Sequence, residues 1–563
     1  MPISTGGADM IDAHAVIHAH HVRHAASLLL GWQNLVVAYG AVQVPLAAAL
    51  IRGRAPLHKV LCSPLVAAPL TVLAGVAIGA GTSLFAAFGL SGGAWGAPAA
   101  VTFTALVGYA AGRALARIPS TAGTHHRGAI VLDPMVDAKP AASDRRLSRA
   151  LSREPHAVTL AGLLIATEDE SKHFKIIGAT GTGKSTAIGE MLGGALERGD
   201  RAVIADPDGG YLRRFYHPER GDLILNPFDH RSAKWDLFGE IRNDYDVEQL
   251  ARSLIPDHEG EDRSWRGYAR TFFGAVTAQA HAAGTRDVSE LYRLLVVAGT
   301  SELKTLVAGT PAQPFLEEHN GRMFDSIRSV TSSAVSSLEY VARQHSTLLS
   351  VRNWVQQAPP VTSAAAPARG GVLFMPYRAG QVAALRSTIS AWMRLAIFEA
   401  MNREEDTERL WFVVDELDAL GQIDGLKDAL ARLRKFGGRC VLGFQSISQV
   451  SSAYGGGEAN TIVENCGNTL ILRCSGSEHG GTSQFASRLI GDREVVRPQT
   501  SRGRDRGYWL AGRNARRSTS ISQQHVTETA VLPSELEQLP DLTGYVKTAS
   551  RPEWLKVRLR RSV

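Results

Sequence analysis

A phosphate-binding loop is the most restrictive feature of this 563-residue chain. An apolar run, Phe174-Lys-Ile-Ile, leads into Gly178-Ala179-Thr180-Gly181-Thr182-Gly183-Lys184-Ser185-Thr186, which satisfies G-x-x-x-x-G-K-[ST] in full. The glycines let backbone N–H groups wrap a phosphate without Cβ clashes. Lys184 reaches the β- and γ-phosphates, and the Ser185 hydroxyl ligates Mg²⁺. The helix expected from about Lys184 to Arg198 points its positive end at the anion. Gly178 through Thr186 are therefore the expected nucleotide-binding residues, with ATP and Mg²⁺ as cofactors.

Such a site also needs an acid at the tip of a neighbouring strand. Leu410-Trp-Phe-Val-Val-Asp415-Glu416 supplies two. Asp415 is expected to hold the magnesium shell with Ser185, and Glu416 to polarise the attacking water. Other strand-like runs are Ala202 to Asp206, Asp222 to Leu225, Gly371 to Met375, Cys440 to Phe444 and Thr469 to Arg473. Helical patterns alternate with them. That predicts an α/β fold on a parallel sheet, with ligands at the strand carboxyl ends. Gln445 follows the Cys440 run, beside the γ-phosphate in such a sheet, where an amide can sense the phosphate or orient the water; the plain alternative is a polar loop residue. Between Ile241 and Gln344 helical periodicity replaces the strand pattern, which predicts an all-α insertion of about 100 residues.

The first 132 residues hold only two acids, Asp9 and Asp12, and no charge lies between Arg23 and Arg52 or between Lys59 and Arg113. A membrane-spanning helix needs about 20 apolar residues. Ala25 to Ile51 fits one span, and Cys62 to Leu90 and Trp95 to Gly112 fit two more. A cleavable signal peptide fits poorly, because the apolar run starts late and continues too far. The basic residues Arg52, Arg54, Lys59, Arg113, Arg117 and Arg127 belong on the cytoplasmic side. Three spans with the N-terminus outside satisfy all of them, and two spans with the N-terminus inside are the alternative. Either way, everything past about residue 115 is expected in the cytoplasm. The i,i+4 pairs His14/His18 and His20/His24 suit either a metal or an amphipathic lead-in helix. Four scattered cysteines exclude a disulfide-rich scaffold, and a net charge of 61 − 54 = +7 argues only weakly for an anionic partner.

These segments resemble the type IV coupling proteins of bacterial conjugation and type IV secretion, over nearly the whole length. The resemblance rests on the N-terminal apolar region, GATGTGKST, VIADPDGGYLRRFYHPERGDLILNPFDHRSAKWDLF, ARSLIPDHEGEDRSWRGYARTFF in the helical insertion, WFVVDELDAL, RLRKFGGRCVLGFQSISQV and LPSELEQLPDLTGYV. It implies a RecA-like P-loop ATPase domain with an all-α insertion domain, preceded by an α-helical transmembrane region. The expected boundaries are 1–117 for the membrane domain, 118–170 for a linker and the start of the nucleotide-binding domain, 171–240 and 346–563 for the rest of that domain, and 241–345 for the insertion. The resemblance further implies a homohexameric motor in the bacterial inner membrane, multi-pass, with its ATPase domain in the cytoplasm. Such a motor couples ATP hydrolysis to export of a relaxase-bound DNA strand. Its partners would be relaxosome proteins, the type IV secretion channel, the lipid bilayer, and DNA bound without sequence preference. By motif position Arg434 resembles the catalytic finger offered to a neighbouring subunit's nucleotide, with Arg473 as runner-up and a solvated cation as the plain alternative. Two departures stand out: the family usually has two spans with a sizeable periplasmic portion, and some relatives carry an acidic C-terminal docking tail, which is expected to be absent here.

For DNA contact, the Gly/Arg-rich segment Arg502 through Arg517, with Tyr508 and Trp509, offers phosphate-pairing cations and stacking rings, or else a solvated loop. Lys427, Arg432, Lys435 and Arg439 are a second candidate set. Two other readings compete with the motor: a partitioning or secretion-channel ATPase, disfavoured by the insertion, and a membrane receptor that uses ATP binding only for assembly. Leu90-Ser-Gly-Gly93 mimics an ABC-transporter signature but precedes the phosphate loop and lies between apolar segments.

Overall fold

The computed structural model describes residues 32–53, 55, 57–87, 96–116, 124–133, 157–257, 263–357, 371–404, 408–477, 481–504 and 517–560. The chain forms two compact units, Met1–Thr124 with Val496–His525, and His125–Val495 with Val526–Val563. The paired histidines before residue 25 and residues 505–516, with Tyr508 and Trp509, lie outside the described residues.

Among the described residues, the first unit contains three long helices: α1 (Trp32–Arg52), α2 (Ser63–Ala87) and α3 (Gly96–Ala116). Leu35–Arg52 and Ser63–Gly81 have mean hydropathies of 1.7 and 1.8 and are long enough to cross a membrane, yet only 22% of each stretch is buried. Small residues let α1 and α3 touch. A Cβ on Gly108 would collide with the Val42 carbonyl, and one on Gly112 would lie 2.6 Å from the Leu46 oxygen. Contacts spaced by four residues on both helices make the pair parallel and in register. Lys59 Nζ donates to the Leu115 carbonyl (2.9 Å), Gln43 Nε2 to the Ser63 hydroxyl (2.8 Å) and the Tyr39 hydroxyl to the Pro64 carbonyl (3.2 Å). The chain therefore turns back after Arg52, and α2 runs antiparallel to its neighbours.

The second unit is built on a ten-stranded sheet. In chain order the strands are β1 (Val131–Leu132), β2 (Phe174–Ile177), β3 (Arg201–Pro207), β4 (Leu223–Ile224), β5 (Val372–Tyr377), β6 (Leu410–Val414), β7 (Gly438–Phe444), β8 (Asn468–Ile471), β9 (Thr543–Lys547) and β10 (Trp554–Arg558). Their spatial order is β1-β10-β9-β8-β2-β7-β6-β3-β5-β4. The segment from β8 to β4 is parallel throughout, and β9 joins β8, and β10 joins β9, antiparallel. The central strands read as unbroken apolar runs because both faces are covered. Ile176, Ile204, Val413 and Val441 meet the helix α4 (Lys184–Glu197) on one face, and Ile177, Val203, Phe412 and Leu442 belong to the opposite core.

After β3 comes the short helix α5 (Gly210–Phe215). Between β4 and β5 the described residues are largely helical, including α6 (Asp244–Leu254), α7 (Arg263–Ala282) and α8 (Gly321–Ala334). A buried carboxylate ties the two roots of this region together. Glu240 accepts from Trp235 Nε1 (2.9 Å), the Ser350 hydroxyl (3.0 Å) and the Val351 and Arg352 N–H groups (2.7 and 3.0 Å). Helix α9 (Val382–Ala400) then packs against the sheet and α6, buried along most of its length from Thr388 onward.

Candidate nucleotide site

Strand register assembles the site. Ile177 at the end of β2 pairs with Phe444 of β7 and Ile471 of β8. Val414 of β6 pairs with Leu442 of β7 and Ala205 of β3. The residues that follow these paired positions, Gly178, Gln445, Asp415 and, near the end of β3, Asp206, therefore emerge side by side at one carboxyl edge, where open α/β sheets bind ligands.

The loop is held open by backbone. Gly183 sits at φ +117°, a conformation that a side chain would strain, and a Cβ there would lie 2.8 Å from Leu542 Cδ2. It precedes α4, whose first turn has no side-chain cap, so its N–H groups stay available to an anion. Lys184 Nζ donates to the Gly178 and Ala179 carbonyls at 2.9 and 3.3 Å. Burial pulls this ammonium below the usual lysine range, while the carboxylates of Asp415, Glu416 and Asp418 pull it back up. The Ser185 hydroxyl donates to Asp415 Oδ2 at 2.6 Å. Asp415 Oδ1 is buried and makes no hydrogen bond among the described residues. A hydroxyl and a carboxylate in contact, with one carboxylate oxygen free, suit a hard divalent cation that takes oxygen ligands.

Glu416 is half-buried, and its carboxyl is held above the usual range by burial first and by the Asp415 charge second. Gln445 Nε2 donates to Glu416 Oε1 (2.9 Å), and the Thr180 hydroxyl donates to Gln445 Oε1 (2.8 Å). This chain fixes the amide between loop and acid. Gly178 through Thr186, Asp415, Glu416 and Gln445 thus come together. Arg434 does not join them. It is exposed in a turn before β7, and seven strand residues separate that turn from the Gln445 end, roughly 20 Å at 3.3 Å per residue. Arg473 lies beside the loop: its carbonyl accepts from Ala179 N–H (2.8 Å), and its guanidinium pairs with Asp541 (2.7 Å). Arg439 is buried against Glu170 (3.0 Å), so the DNA-facing position considered for it does not hold.

Three participants escaped sequence reasoning. Asp206, at the tip of β3, accepts from the Tyr211 and Leu212 N–H groups (3.1 and 2.7 Å), and burial pushes its carboxyl up to about 6. The Tyr211 hydroxyl donates to Asp415 Oδ2 (2.8 Å). Leu542 donates its N–H to the Thr182 carbonyl (2.9 Å), so the stretch before β9 closes on the loop. The available signal was the acid ending the Ala202 run, a second acid-tipped strand.

Residues 157–560 match the family model of the type IV secretion-system coupling protein DNA-binding domain. Coupling protein TraD of Escherichia coli (strain K12) is 30% identical over 392 residues, 69% of this chain and 52% of TraD, so the chain spans about half the length of that relative. Among solved structures, the bacterial conjugative coupling protein TrwBdeltaN70 superposes with a TM-score of 0.66 at 30% identity, covering 78% of this chain and 95% of that one. Plasmid coupling protein TrwB with ADP and Mg²⁺ gives 0.65 at 30% identity, again over 78% of this chain and 95% of that one. A match over most of the second unit, the shared fold and the loop with its acid-tipped strand lead to one conclusion: the chain belongs to the type IV secretion-system coupling protein family.

Proposed function

We propose that this chain is an ATP-driven coupling protein of the bacterial inner membrane that moves relaxase-bound DNA into a type IV secretion channel. The observation that carries this reading is the 2.6 Å contact between Ser185 and Asp415 at the mouth of a glycine loop. TrwB has been solved with an ATP analogue and with ADP and Mg²⁺, which supports the same cofactors here. Bound Mg²⁺·ATP supplies a γ-phosphoryl group and the charge that activates it. Gly178 to Thr186 would wrap the phosphates, and Lys184, held here by the loop carbonyls, would supply them with a cation. Ser185 and Asp415 would hold the metal. Glu416, with its raised proton affinity, orients and deprotonates water, and Gln445 links that acid to Thr180 on the loop.

Arg434 acts in trans. Its distance from the loop of its own chain and its exposure support a finger offered to the next subunit of a homohexamer. We assign 1–117 to the membrane domain, 118–170 to the linker and entry strands, 171–240 with 346–563 to the RecA-like domain, and 241–345 to the all-α insertion, which meets relaxosome and DNA. The parallel α1–α3 pair with antiparallel α2 favours three spans, with Arg52, Lys59 and Arg113 toward the cytoplasmic end. The test is conjugative transfer from a strain carrying only Lys184→Ala or Glu416→Gln. Loss of transfer with normal membrane assembly supports the motor. Normal transfer by both variants would favour a receptor that uses ATP for assembly alone.

A further inference from the structure

A cavity of ≈ 360 Å³ opens beside the loop, between α4 and α5, and is lined by Ser185, Thr186, Gly189, Tyr211, Arg214 and Asp415 among others. Two of these residues are the metal-holding pair of the proposed site, and Tyr211 is hydrogen-bonded to one of them. Arg214 has no such assignment. It is exposed, and its guanidinium lies 4.9 Å from the centre of the Phe215 ring. Among the described residues it forms no hydrogen bond and no ion pair. Its neighbour Arg213, by contrast, donates to the Asp208 carbonyl at 2.7 Å.

The backbone is arranged to bring Arg214 here. Asp206 anchors the start of α5 through two N–H groups, and Tyr211 ties the same turn to Asp415. One turn after Ser185, α4 carries Gly189, and a Cβ on it would lie 2.9 Å from Arg214 Nη1. The missing side chain lets the guanidinium lie along α4, one helical turn from the uncapped N–H groups. A guanidinium that stacks on a ring but has no hydrogen-bond or ion-pair partner among the described residues, facing a cavity shared with a phosphate loop, is matched chemically by phosphate oxygens, which it can take bidentately.

We infer that Arg214 is a second cation for the nucleotide, binding the phosphate chain from the α5 side while Lys184 binds it from within the loop. This rests on the nucleotide reading proposed above. The pairing also gives α5 a role: its attachment to Asp415 and its arginine connect the metal edge of the site to the segment after β3.

The experiment uses the full chain in lipid nanodiscs and measures Mg²⁺·ATP binding calorimetrically at low and at high salt, for wild type, Arg214→Gln, Arg214→Lys and Lys184→Ala. Arg214→Gln should weaken binding about tenfold, the loss expected for a charge-assisted contact. It should also flatten the salt dependence, a change that a packing defect would not cause. Arg214→Lys should recover part of the affinity, because the charge stays while the fork is lost. Wild-type affinity and wild-type salt dependence in Arg214→Gln would overturn the assignment. Absence of binding by wild type would overturn the nucleotide reading itself.

Discussion

Helix α2 in the first unit and helix α9 in the second are both largely apolar, but their surroundings differ. Across Ser63–Gly81 only 22% is buried, and Leu65, Val72 and Leu73 stand 77%, 66% and 64% exposed. In the second half of α9 even the charged residues are inside: Arg394 reaches Asp424 (3.3 Å), and Glu399 receives Arg242 (2.8 Å). A soluble surface does not carry a helix of exposed leucines and valines, whereas lipid accepts one and demands polar partners for anything charged. Composition alone would group the two helices together. Burial separates a helix whose apolar side chains no protein covers from one packed inside the fold, and the proposed anchor and engine follow that division.

The largest expected effect lies in the engine. Lys184→Ala or Glu416→Gln should lower the ATP turnover number on the order of 10³-fold, the scale of losing a preorganised charge or base at a transferring phosphoryl group. Both variants should remain in the membrane fraction at wild-type levels. A variant that lost turnover and membrane association together would break the division.

Next come substitutions that read the solvent of each helix. Arg394→Leu should destabilise the second unit by about 3 kcal/mol or more in denaturant melts, since it leaves Asp424 and the Gln249 contacts without their cation. Leu73→Arg should cost about 2.5–3.5 kcal/mol of membrane insertion if lipid surrounds it, but within about 0.5 kcal/mol if water does. A glycosylation-reporter insertion assay distinguishes these, and an unchanged insertion efficiency would sink the lipid assignment.

A pH effect of similar or smaller size follows from Asp206. Its carboxyl is raised to about 6 in the fold, so the folded state binds a proton more readily than the unfolded chain. The stability associated with that proton is complete below about pH 4 and is lost as pH rises through about 6. Asp206→Asn should remove that contribution, on the order of 2–3 kcal/mol, from the difference between melts at pH 4 and pH 7. Identical pH profiles for wild type and variant would show that Asp206 is not the group. Smallest, Gly112→Ala should cost about 1 kcal/mol of α1–α3 association, because its Cβ would crowd the Leu46 carbonyl. Cross-linking between the two helices would report it.

The sequence made the centre of the engine legible because its chemistry is local. Gly178 to Thr186 is one contiguous signature, and an apolar run ending at Asp415 and Glu416 announces a strand tip. The alternation of buried strands with helices gave the parallel sheet, and the loss of that alternation after Ile241 gave the helical region. Asp206, Tyr211, Arg214 and Leu542 were not legible as site residues. They reach the loop through strand order and through an antiparallel pair added late in the chain, and neither leaves a periodic trace. Arg439 misled for the same reason: its charge reads as solvated, yet register places it against Glu170 in the interior. In the anchor, hydropathy announced the helices, but only the Val42–Gly108 and Leu46–Gly112 contacts fix which two run parallel.

The central claim is that Ser185, Asp415 and Glu416 form one magnesium-dependent hydrolytic centre whose work is delivered to DNA. Steady-state ATP hydrolysis by the full chain in nanodiscs, with and without single-stranded DNA, tests it most directly. The account predicts turnover that rises when DNA is added and disappears in both Lys184→Ala and Glu416→Gln. Turnover indifferent to DNA, or equal in wild type and Glu416→Gln, would contradict it.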